Sequence, residues 1–140
     1  MGNNLNIAYC IVCEDVRPEA QGKQAILGFF GLLPDVNIKL KEIGKTLPRL
    51  AFLMNIEGDA GKYKFKFTLL GPDKKKVFDV PQLEMELLED KSRRALAVFI
   101  VQGLTLKTEG LYTVRMANKN KAFYESTFRV DQGPEELFTT

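Results

Sequence analysis

The sequence contains no histidine and no tryptophan, and only two of its 140 residues are cysteines. Without histidine the chain cannot form Ser-His or Cys-His nucleophile pairs, and it has no imidazole to hold a metal. These absences make an enzyme less expected, although a site built from carboxylates or lysines stays open. We expect no cofactor.

Long apolar runs are also missing, because no stretch approaches the ~20 residues of a transmembrane helix. The N-terminal segment MGNNLNIAYCIV has neither the basic region nor the cleavage site of a secretory signal. Asn6 stands where the myristoylation pattern needs Ser or Thr. Gly-rich phosphate-binding loops are absent as well. These features predict a cytoplasmic protein with no membrane partner.

Neither sign of charge dominates, since the sequence has 20 basic and 18 acidic residues and a net charge of +2. A balance of this size does not indicate a nucleic-acid partner. At 45% hydrophobic residues the chain can bury a core without disulfides or metals. We expect one domain over residues 1–131 and a C-terminal tail over residues 132–140.

What the sequence has in abundance is alternation of apolar and polar residues, which is typical of half-buried strands. In Lys62–Leu70 the apolar residues occupy every second position, so Phe65 and Phe67 should face the core. Gly110–Val130 reads as a hairpin whose turn is Asn118–Lys121. Eight or nine such strands, separated by Gly, Pro and Asp turns, predict an all-β antiparallel sandwich of immunoglobulin-like, Greek-key type. A closed β-barrel is the alternative.

Four finer expectations concern individual segments of the chain. Ala95–Val101 (ALAVFIV) is apolar at every position, which favours a central strand. The outward lysines of Lys62–Leu70 would protect a sheet edge, and Ile43–Pro48 should be a connection. Tyr112 either packs in the core or anchors the preceding loop through its hydroxyl, as in a tyrosine corner.

The two cysteines have the spacing C-x-x-C, at Cys10 and Cys13. On a turn this spacing would indicate a metal knuckle or a redox pair. Here it lies on a predicted strand, where residues three apart point to opposite faces. We therefore expect two buried structural thiols, no disulfide and no metal site.

Opposite charges are concentrated in two neighbouring stretches. Asp79–Asp90 is acidic, whereas the basic stretch could bind a polyanion through six lysines: Lys62, Lys64, Lys66, Lys74, Lys75 and Lys76. The alternative is that Lys64 and Lys66 pair with Glu84 and Glu86 across adjacent strands. Because the interleaved aromatic residues face the core, they cannot stack on bases, and nucleic acid is not expected as a partner.

The second predicted strand, Ala25–Phe30, carries no charge and runs into FFGLL, with Gly28 and Gly31 indicating a bulge. Alternation cannot bury every large side chain of this segment. Either the core takes them all, or the segment forms a homodimer contact or receives a strand of a protein partner. The candidate interface residues are Phe29, Phe30, Leu32 and Leu33.

Two segments of the sequence have a recognisable pattern. The first contains Cys13-Glu14-Asp15-Val16-Arg17, then Gly22-Lys23, then Ile26-Leu27-Gly28; the second is GLTLKTEGLYTVRM followed by ESTFRV. Both segments resemble a family of small, uncharacterised bacterial proteins. The second segment is also similar to the closing strands of many immunoglobulin-like sandwiches. The resemblance implies a bacterial β-sandwich and brings no activity or site residues with it.

Together these features leave the biochemical activity unknown and favour a non-catalytic binding or structural module that acts through protein–protein contacts. Two alternatives stay open. One is a polyanion-binding domain that uses Lys62–Lys76, and the other is an enzyme with an unrecognised carboxylate or lysine site.

Overall fold

The computed structural model describes residues 5–91 and 93–133, and most of them lie in strands. Within the predicted tail over residues 132–140, residue 132 still lies in a strand, and residues 134–140 lie outside the described residues. The nine strands are β1 (Asn6–Pro18), β2 (Gln24–Leu32), β3 (Asn37–Leu40), β4 (Thr46–Glu57), β5 (Gly61–Leu70), β6 (Lys76–Leu87), β7 (Arg94–Thr105), β8 (Gly110–Asn118) and β9 (Lys121–Gln132).

The strands form two sheets that pack against each other. The first sheet has the order β2-β1-β4-β7 and the second has the order β3-β9-β8-β5-β6. All neighbouring strands are antiparallel except β3, which pairs with β9 in parallel. The sheets stay separate, so the closed-barrel alternative is wrong. An immunoglobulin-like β-sandwich fits this arrangement.

The core lies between the sheets and is rich in aromatic residues. Phe67 is fully buried, and its ring stacks on that of Phe99 with centroids 4.6 Å apart. Phe52 and Phe78 complete its surroundings at 5.5 and 6.3 Å. The prediction that Phe65 and Phe67 face the core is confirmed. Since these rings come from both sheets, the aromatic cluster holds the two layers together.

Tyr112 forms the predicted tyrosine corner. Its hydroxyl donates a hydrogen bond to the carbonyl oxygen of Thr108 at 2.7 Å and accepts one from the Thr108 N–H at 3.5 Å. The ring stays buried against Phe128, with centroids 5.6 Å apart. The tyrosine therefore fixes the loop that leads from β7 into β8.

Two predictions about sheet position are wrong. β7 is an edge strand and not a central one, because among the described residues it pairs only with β4. β5 is an interior strand between β8 and β6, so its lysines protect no edge. One boundary also differs, because β4 begins at Thr46, within the predicted connection.

Helical structure in the described part of the chain is limited to two single 3₁₀ turns, Ala20–Gly22 and Glu89–Lys91. Within the same residues, no helix has the length and apolar character needed to span a membrane.

Candidate protein interface

The outer face of the first sheet is apolar, although it points away from the sandwich core. Along β4 the residues Phe52 and Met54 belong to the core, so the alternating Ala51 and Leu53 point outward. Residues paired across a ladder share a face. Strand pairing therefore continues this outward row from β4 to its neighbours β1 and β7, and from β1 to β2. We call this surface the outer apolar face.

Four strands contribute to the outer apolar face in successive rows. One row crosses the sheet as Leu32, Ile11, Leu53 and Val98; the next is Phe29, Cys13, Ala51 and Ile100. A third row consists of Tyr9, Asn55 and Leu96. Beneath the exposed side chains, a second hydrophobic cluster is already buried: Cys13, Val16, Ala51 and Leu53, with Ile11 packed on it. The chain thus has two apolar layers, and only one of them is enclosed by the sandwich.

Seven large apolar side chains of this face are exposed: Tyr9, Leu27, Phe29, Leu32, Leu96, Val98 and Ile100. Phe29 is the most exposed, at 61%. With roughly 200 Å² for each fully exposed side chain of this size, they present on the order of 600 Å² of apolar surface. The largest apolar patch on a typical monomer is about 300–600 Å², and patches at that upper limit mark interaction sites.

Paired charges bound the outer apolar face at one end of the strands. The Asp15 carboxylate is almost fully buried and lies 3.0 Å from Arg17 Nε and 2.9 Å from Arg49 Nη1. The hydrogen bond from Arg17 and the charge of Arg49 lower the pKa of Asp15, although burial alone would raise it. Asp15 is therefore ionised at neutral pH and paired within its own chain.

At the other end of the strands, Glu57 has a similar role. Its carboxylate accepts hydrogen bonds from Asn6 Nδ2 at 3.0 Å and lies 3.0 Å from Arg94 Nε. Charged or polar groups thus border an apolar centre, as the rim borders the core of many protein interfaces.

Asn55 is the polar residue within the apolar rows, opposite Tyr9 and Leu96. Its side-chain oxygen is buried and has no hydrogen-bond partner among the described residues. A lone polar side chain in an apolar contact costs stability and favours one register over others, as a buried Asn does in coiled coils.

The predicted interface residues of β2 divide into three groups. Phe29 and Leu32, the latter 48% exposed, belong to the outer apolar face. Phe30 is exposed at the β-bulge, which lies between two glycines with positive φ, Gly28 at +63° and Gly31 at +144°. Leu33 is half-buried against the main core and leaves the candidate set. The core therefore does not take all four side chains.

The two cysteines are buried on opposite faces of β1, because Cys10 packs in the main core and Cys13 in the second cluster. Burial raises the pKa of the Cys10 thiol to about 12 and also raises that of Cys13. Both thiols are consequently protonated and unreactive at neutral pH.

The lysines of β5 face acidic residues on the adjacent β6, as the pairing alternative predicted, but with a different register. Lys64 lies opposite Glu84, and Lys62 lies opposite Glu86. Lys66, which we expected beside one of these glutamates, instead has its Nζ 4.0 Å from Asp79 Oδ2. The remaining three predicted lysines follow β5: Lys74 and Lys75 lie in the turn before β6, and Lys76 begins that strand.

A shallow groove of about 640 Å³ adjoins these lysines on the outer side of the second sheet. Its lining includes the basic residues Lys64, Lys66, Lys76, Arg115 and Lys119. Arg115 is paired with Glu125 at 2.7 Å, and Lys76 with Asp79 at 3.1 Å. These ion pairs reduce the positive charge that the groove offers to an anion.

Sequence reasoning missed most of the outer apolar face, above all Leu96, Val98 and Ile100 on β7. The signal was present in the doubly apolar pattern ALAVFIV. We interpreted that pattern as burial on both faces, whereas one face covers the core and the other is exposed in the described part of the chain.

Comparison with known proteins places most of the chain in one family. A family model described as "Family of unknown function (DUF6941)" matches residues 8–131. The chain belongs to this family. No curated protein sequence matches the chain significantly. Membership confirms the expected relation to a family without an assigned activity.

Among solved structures, the chain is similar to an immunoglobulin-like protein from Pseudomonas aeruginosa, with 13% sequence identity and a TM-score of 0.39. The match covers 91% of this chain and 96% of that one. At that TM-score the likeness adds nothing to the sheet pairing described above, and the site rests on the residues of this DUF6941 member alone.

Proposed function

We propose that this DUF6941 protein is a non-catalytic interaction module whose outer apolar face binds another protein surface, and that this surface is the same face of a second copy. The observation that supports the proposal most strongly is the row-by-row continuity of exposed apolar side chains across all four strands of the first sheet. Action in a bacterial cytoplasm, expected from the sequence, is part of the same proposal.

The size of the outer apolar face supports a dimer. Stable protein interfaces bury about 800 Å² on each partner, and the seven exposed side chains offer on the order of 600 Å² before the polar rim is added. Both carboxylates of the rim, Asp15 and Glu57, already have partners within the chain. Association therefore buries apolar surface without leaving an unpaired carboxylate.

The order of residues along β4 favours a second copy over an unrelated partner. If a two-fold axis crosses the strands at Leu53, the outward residue four positions before it meets the outward residue four positions after it. Arg49 then faces Glu57 of the partner subunit, and the contact occurs twice by symmetry. Opposite charges meet at both ends of the apolar rows, which is the complementarity that a self-association requires.

Sedimentation velocity analysis over a range of concentrations tests the proposal with a matched pair of variants. Leu32→Asp places a charge on the outer apolar face, and Leu111→Asp places one on the outer side of the second sheet. The two leucines are 48% and 51% exposed, so solubility and stability should change similarly. We expect the wild type and Leu111→Asp to associate through the outer apolar face. In Leu32→Asp the dissociation constant of this contact should be at least tenfold higher, while the circular dichroism spectrum stays the same.

Two results would contradict the proposal. One is a wild type that stays monomeric at the highest concentration. The other is an equal loss of association in both leucine variants, since that would show a general effect of charge.

Polyanion binding is the second candidate function, and the basic groove on the second sheet is the observation in its favour. Lys64→Glu combined with Lys119→Glu should abolish retention on heparin if the groove binds polyanions. Lys23→Glu combined with Lys45→Glu, both outside the groove, is the control of equal charge change. Retention that depends only on net charge would exclude this function.

A further inference from the structure

Four strands form the edges of the two sheets, and three of these edges are protected against pairing with another strand. β3 has only four residues. β6 contains Pro81 and two register shifts opposite β5. β2 is interrupted by its bulge and by two glycines with positive φ. Short length, proline and bulges are the devices by which native sheets avoid edge-to-edge association.

The edge formed by β7 has none of these devices. From Arg94 to Gln102 it pairs with β4 at nine consecutive positions without a register shift, and only then does Gly103 adopt a φ of +69°. This nine-residue span contains no proline, and Arg94 at its first position is its one charged residue. A long, regular and nearly uncharged edge is a template for a further strand.

The backbone groups that point away from β4 can be assigned from the ladder. The N–H of Gly58 donates to the carbonyl oxygen of Arg93 at 3.2 Å. The backbone groups of Arg93 therefore point to β4, and residues of an antiparallel pair alternate between bonded and non-bonded positions. The odd-numbered residues of β7 thus bond to β4, and the N–H and C=O groups of Leu96, Val98 and Ile100 point to the open edge. In a soluble monomer these groups would bond only to water.

We infer that β7 pairs antiparallel with β7 of a second copy, about a two-fold axis at Val98. This residue is the midpoint of the regular span, so the register pairs all nine positions. Val98 meets its own copy, Leu96 meets Ile100 of the partner subunit, and Arg94 meets Gln102 of the partner subunit. No like charges oppose each other. The inference is independent of the face-to-face contact, because it depends on backbone groups and not on side-chain area.

The contact would join two four-stranded sheets into one sheet of eight strands. A two-fold axis that relates antiparallel neighbours runs perpendicular to the sheet, so the outer apolar faces of both copies lie on the same side. Edge pairing therefore enlarges the apolar surface and does not cover it.

Disulfide cross-linking tests the register directly. In the proposed pair the Cα atoms of residue 98 are about 5.5 Å apart, within the 4.4–6.8 Å range of a disulfide. Val98→Cys should therefore form a covalent dimer with oxidised glutathione, whereas Leu96→Cys, two residues from the axis, should not, because four residues separate its copies by ~13 Å along the strands. The native thiols are buried and should give no background.

The same experiment separates edge pairing from face-to-face contact. Because the face axis lies in the row that contains Val98, a face-to-face dimer also brings residue 98 opposite its own copy. The cross-linking is therefore carried out in the Leu32→Asp background, in which the outer apolar faces do not associate and only edge pairing can bring the two thiols together. Leu96→Cys combined with Ile100→Cys should cross-link, because these residues oppose each other in the proposed register. Failure of both Val98→Cys and this double variant would overturn the inference, as would equal cross-linking of Val98→Cys and Leu96→Cys.

A backbone variant gives a second measurement that does not depend on thiol chemistry. Val98→Pro removes an N–H that points to the open edge and leaves the β4 ladder intact, while Val98→Thr keeps that N–H with a side chain of the same shape. Edge pairing predicts that association measured by sedimentation weakens by at least tenfold in Val98→Pro and stays within about twofold in Val98→Thr. Equal association of the two variants would contradict the proposed pairing.

Discussion

Truncation of Phe67 to alanine should be the most damaging single change in the core. Phe67 is fully buried, and three further phenylalanine rings surround it, two of them from the opposite sheet. Removal of a buried phenylalanine typically costs 3–5 kcal/mol, and aromatic pairs add about 0.5–1.5 kcal/mol beyond the buried area. Because Phe67 stacks on Phe99 from the opposite sheet, we expect a loss of about 4–5 kcal/mol in the free energy of unfolding.

Urea unfolding followed by far-ultraviolet circular dichroism measures this loss, since the chain has no tryptophan for fluorescence. With a slope of about 1–3 kcal/mol per molar urea, the midpoint should fall by about 1.3–5 M at an unchanged slope. Phe29→Ala is the matched control, because the same ring is removed from an exposed position and should cost less than about 0.5 kcal/mol in a monomeric sample. A loss below about 1 kcal/mol for Phe67→Ala would refute the assignment of the core face of β5.

Two further predictions concern the tyrosine corner and the charged rim. Tyr112→Phe removes a hydroxyl that bonds to the backbone of Thr108 and should lower the free energy of unfolding by about 1–2 kcal/mol; Tyr9→Phe on the exposed face should change it by less than about 0.5 kcal/mol. The lowered pKa of Asp15 means that its ionised form stabilises the folded state at every pH above the ordinary value of 3.8, and that this contribution is lost as the pH falls through the folded-state pKa. The difference in unfolding free energy between wild type and Asp15→Asn should therefore be constant near neutral pH and shrink below pH 3.8, and a difference that grows in acid would contradict the ion pairs with Arg17 and Arg49.

The strands and the sandwich could be predicted because alternation of apolar and polar residues is a local property. In β5 the alternation of lysines with Tyr63, Phe65 and Phe67 identifies both the strand and its buried face. Tyr112 could be recognised as a candidate corner because it lies next to Gly110 at the start of a strand. The antiparallel pairing of β5 with β6 was foreseen from opposite charges, although the bulge between Phe65 and Phe67 placed Lys66 near Asp79.

The order of strands in a sheet is a non-local property, and sequence reasoning failed there. A strand that is apolar on both faces can lie in the middle of a sheet or at an edge with one apolar face exposed. β7 is of the second kind, since Phe99 and Val101 face the core while Leu96 and Ile100 are exposed on the outer side. The residue pattern is the same for a central strand and for such an edge strand. The strand order distinguishes them, because among the described residues β7 pairs with β4 alone. For the same reason, the sequence pattern did not identify Leu53 and Ala51 of β4 as residues of the outer face.

The two proposed contacts are compatible, and together they define one closed assembly. The edge axis is perpendicular to the first sheet at Val98, and the face axis crosses the strands in the row that contains both Leu53 and Val98. Axes that meet at right angles generate a tetramer in which two eight-stranded sheets pack face to face. Each contact then has its own signature in sedimentation. Val98→Pro should leave a dimer held by the outer apolar face, Leu32→Asp should leave a dimer held by the β7 edges, and the combined variant should be monomeric. If either single variant yields only monomers, the two contacts are not independent, and the association depends on one interface that involves both residues.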